Sequence, residues 1–309
     1  MLRFWYEEGS RVPPRLSAGD EIRVIAPSRS MQVVAPDRRE RAHRFFVERG
    51  FRLSYSRHAN EIDETQSSSI GSRVRDLYEA FFDPSVKGIL TALGGFNVNQ
   101  LLPHLDYDLI AAHPKTLCGY SDITALHHAI YAKTGLVCYH GPHFSTFGRD
   151  ENIDYTVDYF RKATMSDAPY DVESSDSTTD YMTIVPGAAT GTVIGGNLCT
   201  LNLLQGTPYM PSLKNSVLFI EDDNIMGEYF PLEFERNLHS LAQTAEPGDI
   251  RGVVFGRFED SCQIHADILR RIVSGIPSFR DIPILYGADF GHLHPMISFP
   301  IGGQVRLEV

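Results

Sequence analysis

Apolar positions recur along the chain with two periods, and the switching between them lays out the elements. Segments 22–26, 51–55 and 86–92 are short, apolar or alternating, and read as strands. Segments 38–49 and 69–82 carry the helical period; the first stops at Gly50 and the second at Asp83-Pro84. In the second, Val74, Leu77, Phe81 and Phe82 form the expected inner face. Residues 2–15 are polar and proline-containing and read as an extended lead-in. A short helix is expected at 99–102. A buried strand ends at Gly119, and a helix begins after Ser121 with Leu126, Ala129 and Ile130 on one face. A further strand and loop follow at 137–143, then a helix at 152–163.

Strand, loop and helix in repetition describe an α/β fold, a largely parallel sheet flanked by helices. Ligands of such sheets bind at the C-terminal ends of the strands. The loops 27–30, 94–95 and 119–122 therefore converge on one edge. From 164 the composition turns to Ser, Thr, Asp and Pro, so 166–180 reads as a linker or mobile loop. Beyond it the pattern resumes with strands at 191–194, 216–221, 252–255, 284–286 and 304–309, and helices at 197–205, 230–241 and 264–274. The expected organisation is a first domain, 1–165, and a second α/β domain, 181–309, richer in strands, with the active site between them.

Composition narrows the functions. The chain has 309 residues, 42% hydrophobic and 22% charged, as in a soluble globular protein. A net charge of −11 argues against nucleic-acid polymers and membrane surfaces as partners, while leaving room for a local basic pocket. No run is long enough to span a bilayer, and no signal peptide is visible. Cys118, Cys138, Cys199 and Cys262 have no metal-type spacing, and suggest thiols in a reducing, cytoplasmic setting of a bacterial type.

Three stretches carry candidate chemistry. Ser121 sits on a tight strand-to-helix turn after Gly119, where a hydroxyl is lifted from the sheet and the next backbone N–H groups face a ligand. Ser121-Asp122 is equally an ordinary helix N-cap pair, and the second glycine of a G-x-S-x-G elbow is absent. The apolar run 217–220 ends in Glu221-Asp222-Asp223, placed to hold an imidazole, to turn into solvent or to bind a divalent cation. Gly291-His292-Leu293-His294 follows another strand-like run and can aim a ring into a cleft. Gly195-Gly196-Asn197 reads as a glycine turn before a helix, without the Lys and Ser/Thr of a phosphate loop. His127, His128, His140 and His143 lack the H-E-x-x-H pattern, so no metal site is expected.

Taken in order, Gly94-Gly95, 119–126, Gly141-Pro142, 195–198, 218–222, Gly291-His292 and 300–302 resemble the LD-carboxypeptidase family of serine peptidases, which includes the microcin C self-immunity peptidases. The resemblance spans 19–302. It implies a Ser-Glu-His triad of Ser121, Glu221 and His292, with Asp222 as the rival acid. It also implies an oxyanion hole from the backbone N–H groups of Gly95 and Asp122, and substrate contacts at Gly94 and Asn197. No cofactor is implied. The implied reaction is hydrolysis of an amide through an acyl-enzyme, and the implied assembly is a homodimer. The segments 231–238 and 253–258 resemble the immunity branch, whose substrates are peptidyl or aminoacyl nucleotides. Phe147, Tyr170 or Tyr181 would then stack on the base, since the one tryptophan is Trp5. The alternatives are a murein tetrapeptide LD-carboxypeptidase of cell-wall recycling and a non-catalytic ligand-binding homologue.

Overall fold

The computed structural model of the protein describes residues 1–176 and 181–309. In chain order these form β1 (Leu2–Trp5), β2 (Glu21–Ile25), α1 (Pro36–Glu48), β3 (Arg52–Tyr55), α2 (Ile70–Phe82), β4 (Val86–Thr91) and α3 (Tyr107–Ala112). Next come β5 (Thr116–Gly119), α4 (Ile123–Thr134), β6 (Cys138–His140), α5 (Asp154–Thr164) and β7 (Tyr170–Val172). The remainder holds β8 (Met182–Val185), β9 (Ala188–Asn197), α6 (Leu198–Asn202), β10 (Ser216–Glu221), α7 (Phe230–Ala242) and β11 (Ile250–Arg257). Then follow α8 (Ala266–Gly275), β12 (Ile284–Gly291), β13 (Phe299–Ile301) and β14 (Gln304–Glu308). Among the described residues, no helix is long and apolar enough to cross a membrane.

Two sheets result. The first runs β13-β6-β5-β4-β2-β3, parallel from β6 to β3 with β13 antiparallel at one edge. The second runs β7-β1-β14-β9-β10-β11-β12-β8, with a parallel centre, β9 to β12, and antiparallel flanks. The lead-in at 2–15 opens with a strand, not with irregular chain. Leu2 and Phe4 point inward and are fully buried, while Arg3 faces out, so a two-residue apolar face suffices once β14 and β7 pair on either side. Within 166–180, Tyr170–Val172 forms that edge strand β7; 177–180 lie outside the described residues.

The strands cross between the halves of the chain. β1 and β7 join the second sheet, and β13 returns to the first. Both apolar clusters take residues from the two halves: Leu126 shares one with Leu218, and Tyr139 shares the other with Phe219. Helix α4 is buried on every side from Ile123 to Ile130, not along one stripe, because it lies between the first sheet and the end of β9. The Gly195 N–H donates to His128 Nε2 (3.0 Å), and the Asn197 N–H to Thr124 Oγ1 (3.1 Å). His128 Nδ1 in turn donates to the Thr124 carbonyl (2.8 Å), so this histidine is structurally satisfied. Gly195 and Gly196 lie within β9, which runs on to Asn197, rather than in a turn.

Helix α2 departs from its expected face. Phe82 is 62% exposed, and Arg73 and Asp76 are buried instead. Asp76 accepts from the His58 N–H and ring, while Arg73 donates to the carbonyls of Pro27 (3.2 Å) and Asn97 (3.1 Å). A buried guanidinium must satisfy its N–H groups. Here it does so by tying together the loops that follow β2 and β4.

Candidate active site

The C-terminal ends of the parallel strands of both sheets meet at one cleft. β5 delivers Ser121, β10 ends at Glu221, and β12 ends at Gly291, next to His292. His292 Nδ1 lies 2.8 Å from Glu221 Oε2, and His292 Nε2 lies 3.1 Å from Ser121 Oγ. With Glu221 ionised, Nδ1 carries the proton and Nε2 faces the serine as acceptor. The same order of groups activates a serine toward a carbonyl.

The N-cap alternative for Ser121-Asp122 does not describe the turn. Ser121 holds a left-handed backbone, φ +59°, which a β-carbon makes costly. Its hydroxyl meets His292, and Asp122 makes no side-chain bond to α4. The buried Asp122 carboxylate accepts from the Ser28 hydroxyl and from the N–H groups of Asn97 (2.9 Å) and Val98 (2.9 Å). It thus fastens the loop after β4 to the serine turn. Gly94 and Gly95 lie in that loop. A β-carbon on Gly94 would stand 3.0 Å from Ser121 Cβ, and one on Gly95 would stand 2.3 Å from Ser28 Oγ. Only glycine lets this backbone come so close.

The acid cluster divides by the alternation of an extended strand. Glu221, fully buried, turns to His292. Asp222 faces the other way, accepting from Asn197 Nδ2 (2.9 Å) and the Cys199 N–H (3.1 Å). Burial and the neighbouring Glu221 and Asp223 push its carboxyl well above the ordinary range. Asn197 therefore does not line the cleft; it is buried, caps α6 and holds Asp222. Burial pulls the His292 imidazole down, but the Glu221 carboxylate, helped by Asp223 and Asp222, outweighs burial and raises it to about 9.

Residues outside the implied triad and oxyanion hole complete the walls. Tyr120 packs against His143 at a 30° tilt, with ring centroids 4.2 Å apart, and sits edge-on to His292 at 5.4 Å. The Thr91 hydroxyl donates its one proton to the Cys118 carbonyl (3.2 Å), so it accepts from His143 Nδ1 (2.7 Å). That fixes the tautomer of His143, which burial keeps neutral. Arg29, Arg38, Arg149, His294 and Phe96 form the rest of the rim. Position was the only signal for His143, which follows β6 at the same sheet edge; the arginines and Phe96 belong to loops and a helix start without a pattern. Phe147, Tyr170 and Tyr181 do not line the cleft: the first two are buried in the core, and the Tyr181 hydroxyl donates to Asp289 (2.7 Å).

The cleft holds about 520 Å³. A larger groove of about 700 Å³ runs past Thr190, Lys214 and Arg251 at the opposite ends of the second sheet's parallel strands. Among the described residues no serine, cysteine or histidine lines it, so chemistry rather than size selects the smaller one.

Comparison with known proteins matches the chain to two family models. Residues 22–141 match the LD-carboxypeptidase N-terminal domain, and 190–307 match the C-terminal domain. The crystal structure of an MccF-like protein from Bacillus anthracis is 46% identical, with a TM-score of 0.92 over 96% of this chain and 95% of that one. The microcin C7 self-immunity protein MccF of Escherichia coli is 30% identical over 95% of this chain and 92% of its own. A structure of MccF in complex with glutamyl sulfamoyl guanosine superposes with a TM-score of 0.83 at 28% identity, covering 97% of this chain and 98% of that one. The murein tetrapeptide carboxypeptidase of Pseudomonas aeruginosa is 27% identical over 93% of this chain and 92% of its own.

Proposed function

The chain belongs to the LD-carboxypeptidase family, and from that premise we propose that it hydrolyses the carboxamide of peptidyl or aminoacyl nucleotides through Ser121, His292 and Glu221. The observation that carries the reading is the unbroken hydrogen-bond chain from Glu221 through His292 to Ser121. His292 Nε2 takes the Ser121 proton as Oγ attacks the carbonyl carbon. The N–H groups of Gly95 and Asp122 receive the oxyanion; among the described residues neither has another acceptor. His292 then gives its proton to the leaving nitrogen as the C–N bond breaks. Water, deprotonated by the same imidazole, cleaves the ester and restores the serine. No cofactor enters this sequence.

The nucleotide reading is supported by the likeness to MccF and by Phe96 on the cleft rim. Phe96 is 70% exposed and follows Gly94-Gly95, so its ring is free to stack on a base. We place the enzyme in the cytoplasm, in keeping with its free cysteines, and as a homodimer, which is what the family resemblance implies. The murein reading rests on the tetrapeptide-cleaving relative.

Turnover of an aminoacyl sulfamoyl adenosine and of a murein L,D-tetrapeptide separates the two. Release of the amino acid from the nucleotide, with the tetrapeptide at least a hundredfold slower in kcat/KM, is the expected result. The reverse preference would assign the chain to murein recycling. Binding of either compound without turnover would make it a ligand-binding homologue.

A further inference from the structure

The cleft carries more positive charge than its own protein neutralises. In a chain of net charge −11, the fixed charges of the cleft wall are Arg29, Arg38 and Arg149 against Asp223. Arg149 is answered by Glu151, which it grips with Nε (3.1 Å) and Nη2 (2.7 Å). Arg29 and Arg38 are not. Among the described residues no carboxylate lies within ion-pair distance of either. Among the described residues their hydrogen bonds go to backbone carbonyls through Nε alone: Arg29 to Gly94 (3.4 Å), Arg38 to Ser145 (2.6 Å). Both side chains are half-buried. Each Nε contact fixes a guanidinium while leaving its two terminal nitrogens unused.

A half-buried guanidinium without a counter-charge carries a desolvation cost that a bound anion relieves, and its planar fork matches the two oxygens of a carboxylate or phosphate. The anchor of Arg29 is the carbonyl of Gly94, the residue pressed against Ser121, and Arg29 and Ser121 line the same cleft. We propose that Arg29 and Arg38 form an anion subsite that holds a carboxylate or phosphate-type group of the substrate in register with Ser121. The proposal deepens the hydrolase reading and rests on it for the identity of the scissile bond. The two sources of the anion are a peptide's terminal carboxylate and a nucleotide's phosphate or sulfamoyl group.

Binding to the Ser121→Ala protein tests this without turnover. Calorimetry would compare two ligand pairs that differ only in the anion: adenosine monophosphate with adenosine, and L-alanyl-D-alanine with its C-terminal amide. In at least one pair the anionic member should bind tenfold or more tighter. Arg29→Gln and Arg38→Gln keep a donor for the Gly94 and Ser145 carbonyls. Each should erase most of that margin while leaving the neutral member and the melting temperature unchanged. A margin in the first pair alone identifies a nucleotide anion, and in the second alone a peptide carboxylate; both uphold the subsite. Equal binding within both pairs, no binding at all, or a margin that survives both substitutions would overturn it. An enzyme that turns over neither substrate but keeps an arginine-dependent margin would sink the hydrolase reading alone.

Discussion

Ser121→Ala should lower kcat by about 10⁴- to 10⁶-fold, the range for loss of a triad nucleophile, with the residual rate left to binding and oxyanion contacts. The prediction follows from the strand-to-helix turn. Ser121 is held at φ +59° with its hydroxyl 3.1 Å from His292 Nε2. Nothing in that turn depends on the hydroxyl for support, since Asp122 fastens the neighbouring loop. The variant should melt with the wild type and bind substrate as well. Steady-state kinetics beside a thermal melt read both outcomes. A variant of near-wild-type rate would move the nucleophile elsewhere; a collapsed melting temperature would mean that the serine is structural.

Glu221→Gln should cost about 10⁴-fold in kcat, as in triads whose orienting acid becomes an amide. Its carboxylate is fully buried, and its Oε2 holds His292 Nδ1 at 2.8 Å. An amide can present its N–H₂ there, which would turn the imidazole to the tautomer that cannot accept from serine. The pH dependence supplies an independent sign. His292 works as a base only when neutral, so activity rises with pH through its titration. With the imidazole raised to about 9, the wild-type kcat/KM should climb between pH 7 and 9 and level above. Removing the Glu221 charge leaves burial to dominate, so the variant's rise should move to lower pH. The same coupling makes a stability statement. A raised histidine contributes stability fully below its ordinary 6.5, and that contribution fades as pH rises through 9. Overlapping pH profiles for the two proteins would remove Glu221 from its place beside the histidine.

The chemistry-bearing residues were legible because each closes an apolar run. Gly119 before Ser121, the strand before Glu221 and Gly291 before His292 mark strand ends, and strand ends are where α/β proteins put their sites. Their meeting was not legible from periodicity. His292 and Ser121 are 171 residues apart and reach each other across two sheets, a relation no local pattern encodes. The family resemblance supplied it. Glu221 and Asp222 could not be told apart until the strand was seen to send one toward the histidine and the other toward Asn197. The resemblance implied a substrate contact at Asn197, yet the two glycines before it lie in a strand packed against α4, and Asn197 turns to cap α6. β1 escaped notice because two inward residues, Leu2 and Phe4, give too short an alternation to separate from irregular chain. The cleft arginines are surface-type residues whose shared wall exists only after folding.

In this mechanism Ser121 becomes an ester during turnover. An ester analogue of the aminoacyl nucleotide, whose acylation is fast, lets deacylation limit the cycle and the intermediate accumulate. Acid quench within the first turnover, followed by intact and peptide mass measurement, should show one acyl group per chain on the peptide containing Ser121, with a stoichiometric burst of leaving group. Hydrolysis of the same analogue without a burst, or with the acyl group on another residue, would rule out Ser121 as the nucleophile.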